Sequence, residues 1–168
     1  MQGNNLRYLC WLVGLVVAQM LVFNHLHLGG YIVPLPFVYL VLLFPTHSSR
    51  GGVLLWAFAC GLLTDLVSLT PGVGAAALTL VAALQQPLLR HVLAGDDDNP
   101  IHPSKATLGL WPYMRYTMLL TFLFTALYFL LQYFTFYHLG DLLLTWLGSW
   151  LMTTALCWLI EAVRVSKS

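Results

Sequence analysis

The sequence predicts an all-α integral membrane protein in which six transmembrane helices form one compact bundle. Three observations lead there. Of the 168 residues, 60% are hydrophobic and 8% are charged, against about 45–50% and about 25% in a soluble domain. So few charges cannot cover a soluble domain of this size, and the surface is expected to face lipid. Six apolar segments follow one another along the chain. All seven Lys and Arg residues then sort to one side of the bilayer if every segment crosses it. The length suits a single domain over residues 1–168. A formal net charge of +1 gives no electrostatic footprint for nucleic acid.

The first span is predicted at about Tyr8–Phe23, with Tyr8 and Trp11 at its inner start. A signal-peptide reading is set aside because no small-x-small cleavage site follows. The second, Tyr31–Phe44, has 14 residues, about 21 Å of helix, where a crossing takes about 20 residues. Pro34 and Pro36 lie near its start, where a first helical turn tolerates proline. A short crossing and a bent or re-entrant element both fit it. The third span is about Val53–Leu69 and the fourth about Pro71–Leu93. The polar run "GDDDNPIHPSKATLG", Gly95–Gly109, lies within a cytoplasmic loop over 94–110. The fifth span, about Trp111–Tyr137, is long enough to tilt. Trp111, Tyr113 and Tyr116 mark its inner start, and Tyr133 and Tyr137 its outer end, as interfacial aromatics do. The sixth span is about Leu142–Val163.

With both termini cytoplasmic, Arg7, Arg50, Arg90, Lys105, Arg115, Arg164 and Lys167 all fall inside or at an inner helix end. The outer connections, 24–30, the turn at Thr70–Pro71 and 138–141, hold none. Deleting one span would reverse everything after it and destroy this sorting.

Asp65 is the charge that needs explaining, because it lies in the outer half of the third span, in "GLLTDLVSLTPGVG". An ionised carboxylate there is costly unless it faces other helices. The turn that follows supplies partners: Thr70 can N-cap the fourth span, Pro71 suits the first helical position, and the amides of Gly72, Val73 and Gly74 point back. Helix starts attract anions. Asp65 is therefore predicted to brace the outer hairpin, with Thr64 and Ser68 as polar neighbours. A proton- or cation-binding role is the alternative, but no second carboxylate or Lys stands at that depth. The fourth span is rich in small residues, with Gly72, Gly74 and Ala75 at its start, and Gly61 can face it for close packing. Gln85, Gln86 and Gln132 are intramembrane amides expected to bond to neighbouring helices, or to line a small pocket.

Other polar groups carry less. Glu161 and Arg164 read as a surface i,i+3 pair. His25 and His27 lack the further ligands a metal needs. Asp96–Asp97–Asp98–Asn99 lacks the Gly and terminal Glu of an EF-hand loop. Cys10, Cys60 and Cys157 lie apart in apolar runs and read as small hydrophobes. No nucleophile elbow, H-E-x-x-H, P-loop or dinucleotide fingerprint occurs, so no enzyme, metal or cofactor is predicted.

The run "LLWAFACGLLTDLVSLTPGVGAAALTLVAALQQPLL", preceded by "YIVPLPFVYLVLLFP", resembles the rod shape-determining protein MreD family in its Bacteroidota-like form. Gly61, Asp65, Ser68, Pro71, Gly72 and Ala75 carry the likeness, which covers about residues 31–93. The family often has an arginine before the proline matched by Pro87, where this chain has Gln86. The resemblance implies a non-enzymatic scaffold of the cell-elongation machinery in the bacterial inner membrane. It implies a partner of the MreC type. An MreB-like cytoskeleton and a RodA or penicillin-binding transpeptidase belong to the same peptidoglycan-synthesising complex. It also implies a fold similar to the substrate-binding subunits of energy-coupling-factor transporters, so a vitamin-like ligand is the alternative function.

Overall fold

In a computed structural model that describes residues 2–19, 34–44, 49–68, 72–93, 108–132 and 139–166, these residues fold into six α-helices and one 3-10 turn. Helix α1 spans Gln2–Ala18, and a 3-10 turn at Pro36–Val38 runs into a single turn, α2, at Tyr39–Leu42. Then follow α3 (Arg50–Ser68), α4 (Val73–Leu93), α5 (Leu110–Gln132) and α6 (Leu139–Ser166). All the described regular structure is helical. Two of these helices contain stretches long and apolar enough to cross a membrane, Leu110–Gln132 and Leu143–Arg164. Leu9–Ala18 and Val73–Leu89 are shorter apolar stretches.

Several predicted boundaries shift. Helix α1 begins six residues before Tyr8, and α6 runs three residues beyond Val163. Apolarity marks what a helix buries, whereas backbone hydrogen bonding continues into polar sequence until something stops it. The larger correction concerns the second span. Within the described 34–44 it is no straight crossing helix but seven helical residues, Pro36–Leu42. Pro34 and Pro36 have no N–H to donate, and a residue before proline is pushed out of the helical region. Leu35 sits accordingly at φ −123°, ψ 64°.

Helices α4 and α5 start alike. Gly72 (φ +84°) and Gly109 (φ +81°) adopt the left-handed backbone that favours glycine. Their carbonyls accept the first helical bonds, from Ala76 N at 3.0 Å and Tyr113 N at 3.4 Å. The fourth helix therefore begins at Val73, with Gly72 as its N-cap residue. Thr70 and Pro71 themselves lie outside the described residues.

Neighbours in sequence pack side by side: α3 on α4, α4 on α5, α5 on α6. The short segment 34–44 packs on α1, α3, α4 and α6, and all eleven of its residues are buried. Phe37 meets Phe124 edge to face at 5.3 Å, and Tyr39 lies 5.3 Å from Trp11. The outward faces are apolar. On α6, Leu147, Leu151, Leu159 and Val163 are exposed, while Thr145, Ser149, Thr153, Cys157 and Glu161 are buried at four-residue spacing on the inner face. A water-facing helix has the reverse polarity.

Candidate functional site

The first polar centre joins α3 to α4. Asp65, buried on α3, accepts from Gly74 N (2.8 Å, Oδ1) and Ala75 N (2.9 Å, Oδ2). These are the second and third amides of α4, which have no intrahelical acceptor and normally bond to an N-cap side chain. Gly72 occupies the N-cap position and has no side chain. Asp65 supplies the missing oxygens from the preceding helix, and the helix dipole favours its charge. The donors lie slightly further along than the Gly72–Gly74 amides predicted, because the helix starts later.

The small residues fit tightly around this cap. A Cβ on Gly61 would stand 2.5 Å from the Cα of Ala75, and one on Gly74 would stand 2.5 Å from Asp65 Oδ1. Glycine at both positions lets the two backbones touch and leaves room for the carboxylate. Thr64 donates back to the carbonyls of Cys60 (2.7 Å) and Gly61 (2.9 Å), so its hydroxyl is satisfied within α3. Ser68 is half-buried at the last position of α3.

The second centre surrounds segment 34–44. A broken helix leaves backbone groups that need partners, and Gln19 and side chains from α4 and α6 provide them. Gln19, just past α1, donates Nε2 to the Pro34 carbonyl at 3.4 Å. Leu35 N donates to Thr153 Oγ1 of α6 at 3.2 Å. Gln85 of α4 donates Nε2 to the Phe44 carbonyl at 3.0 Å. Tyr39 donates its hydroxyl to Glu161 Oε2 of α6 at 2.5 Å, across 122 positions of sequence. Glu161 is only 1% exposed and also pairs with Arg164 at 3.2 Å. The surface reading of Glu161 is thus corrected: its i,i+3 partner is present, but the carboxylate points inward to Tyr39. A hydrogen bond to a charged acceptor is the strong kind.

Gln86, unlike Gln85, faces outward and accepts from Arg50 Nε at 3.1 Å, tying the start of α3 to α4. Gln132 is exposed at the end of α5. Cys60 and Cys157 are buried and all three cysteines are free. His25, His27 and Asp96–Asn99 lie outside the described residues.

A third feature escaped the sequence reading. On α5, Tyr113, Thr117, Thr121 and Thr125 recur every four residues and are buried. Thr121 and Thr125 donate to the carbonyls one turn back, at 2.7 and 2.9 Å. Thr121 and Thr154 of α6 lie 2.8 Å apart, and Trp146 Nε1 donates to Thr125 at 3.2 Å. Polar stitching thus joins α5 to α6. The four-residue spacing of hydroxyls was visible in the sequence and marks one face of a helix. Among the described residues, no group of three His, Cys, Asp or Glu side chains could hold a metal ion.

Compared with known proteins, the chain matches no family model, no curated protein and no solved structure.

Proposed function

We propose that this chain is a non-enzymatic scaffold of the bacterial cell-elongation machinery, of the rod shape-determining MreD type. It sits in the inner membrane as a multi-pass protein with both termini in the cytoplasm. It binds an MreC-like partner and through it links an MreB-like cytoskeleton to the peptidoglycan synthases. One observation carries the reading. Gly61, Asp65 and Ala75, three of the residues that carry the likeness to that family, meet where α3 packs on α4. The inverted polarity of α6 supports the membrane setting, since lipid needs no polar outer face. A non-helical backbone at membrane depth is tolerated where protein buries it, which accommodates segment 34–44 within the bundle.

A second reading, a small-molecule-binding transporter subunit, is favoured by that same segment, because broken helices near the bilayer midplane often border substrate sites. Affinity purification from the producing cells separates the two. The scaffold reading expects a single-span partner with a periplasmic coiled coil to copurify. Saturable binding of a vitamin-like compound, with no such partner, would replace it with the transport reading.

A further inference from the structure

Arg50 opens α3 and is exposed, and its Nε donates to Gln86 Oε1 of α4 at 3.1 Å. That bond holds the plane of the guanidinium and uses one of its five N–H donors. No carboxylate among the described residues pairs with Arg50. The charge is therefore fixed in place without being neutralised by them. The sorting of basic residues puts this end of α3 at the inner face of the bilayer, where the phosphates of anionic lipids lie. A held guanidinium suits phosphate, which it binds through two parallel N–H···O bonds.

From Arg50 into the bilayer, the surface beside the α3–α4 contact is apolar. Leu54, Phe58 and Leu62 follow Arg50 at four-residue spacing, which keeps them on one side of α3. Phe58 and Leu62 are exposed. On α4, Ala83, Thr79 and Ala76 precede Gln86 by three, seven and ten residues and so share its side. Ala83 and Ala76 are exposed. Thr79 turns its hydroxyl to the Ala75 carbonyl at 2.6 Å, so it adds no free polar group. The two helices pack along each other, close enough that a Cβ on Gly61 would meet Ala75. Large side chains on α3 and small ones on α4 thus border an apolar furrow, and Arg50 stands at its inner end. A charge at the head of an apolar strip matches an amphiphile, whereas a free anion would use the charge alone. We infer that Arg50, held by Gln86, binds the phosphate of an anionic phospholipid of the inner leaflet, whose acyl chain lies along Phe58, Leu62, Ala83 and Ala76. The inference rests on the membrane setting proposed above and holds under either function.

Native mass spectrometry tests it, on the full chain purified in mild detergent and mixed with equal amounts of dioleoyl phosphatidylglycerol and dioleoyl phosphatidylcholine. The parent is expected to retain phosphatidylglycerol in preference. Arg50→Gln should lower that preference about fivefold, the worth of one basic residue near an anionic surface. Ala83→Phe fills the furrow without touching the charge and should also lower retention, which a site for free phosphate would not show. Both positions are exposed, so the thermal unfolding midpoint should stay at the parental value. Arg115→Gln, at an exposed arginine of α5, should leave the preference unchanged. A parent without preference, retention undiminished in Arg50→Gln or Ala83→Phe, or an equal fall in Arg115→Gln overturns the proposal and leaves the membrane setting intact. Displacement of the lipid by an equal concentration of inorganic phosphate does the same. A chain that stays in solution without detergent overturns both.

Discussion

Asp65 caps a helix whose own N-cap residue, Gly72, has no side chain to do so. The carboxylate reaches across from α3 to the amides of Gly74 and Ala75 at 2.8 and 2.9 Å. Capping and helix–helix packing are therefore one interaction here. Asp65→Leu is expected to leave two buried amides unsatisfied and to destabilise the protein by about 2–6 kcal/mol, from about 1–3 kcal/mol for each stranded group. Asp65→Asn keeps one acceptor oxygen and should cost about half as much. Denaturant unfolding in detergent micelles measures both. Equal stability of the Leu variant and the parent would remove the capping role.

Gly61 gives a sharper steric test. A methyl group there meets the backbone of Ala75, which cannot rotate away. Gly61→Ala should cost about 1–3 kcal/mol as an overpacked contact. Gly14 in α1 has nothing within 4 Å of its Cβ position. Gly14→Ala is expected to be neutral or to stabilise by about 0.5–1 kcal/mol, as alanine does within a helix. In the same assay Gly61→Ala should therefore lower stability while Gly14→Ala does not.

The Tyr39–Glu161 bond ties the broken segment to the last helix. Tyr39→Phe should cost about 1.5–3 kcal/mol, the range for a hydrogen bond to a charged group. Glu161→Gln keeps an acceptor and should cost less than Glu161→Leu. A double-mutant cycle of Tyr39→Phe with Glu161→Leu is expected to be non-additive, since either single change already breaks the bond. Additive losses would show that the two side chains do not act on each other.

The sorting of basic residues leads to a topology test. Reporter domains fused before residue 1 and after residue 168 should both be active in the cytoplasm and silent in the periplasm. A periplasmic signal from either end contradicts cytoplasmic termini, and one from a single end also contradicts an even number of crossings.

Some of this was legible in the sequence and some was not, for physical reasons. Asp65 stood out because a charge in an apolar run, nine residues before a glycine at a helix start, has few ways to be satisfied. The register of the cap was missed by one to two residues, because the positive φ of Gly72 delays the helix. The prolines of 34–44 announced a bend, but no local pattern showed that all eleven residues would be buried. Glu161 was misread because Arg164, three residues on, offered a sufficient local partner. The deciding partner, Tyr39, lies 122 positions away. The hydroxyl rows on α5 and α6 were readable as four-residue spacing. They were overlooked because a threonine stands out less in an apolar run than a charge does.

The central claim is that this chain supports rod shape. Its depletion in a rod-shaped host that depends on it, followed by cell length-to-width ratio in single cells, tests that claim most directly. The account predicts that cells round up as the protein is lost and recover when the parent is re-expressed, but not with Gly61→Leu, which breaks the hairpin. Cells that keep their rod shape throughout depletion would contradict it.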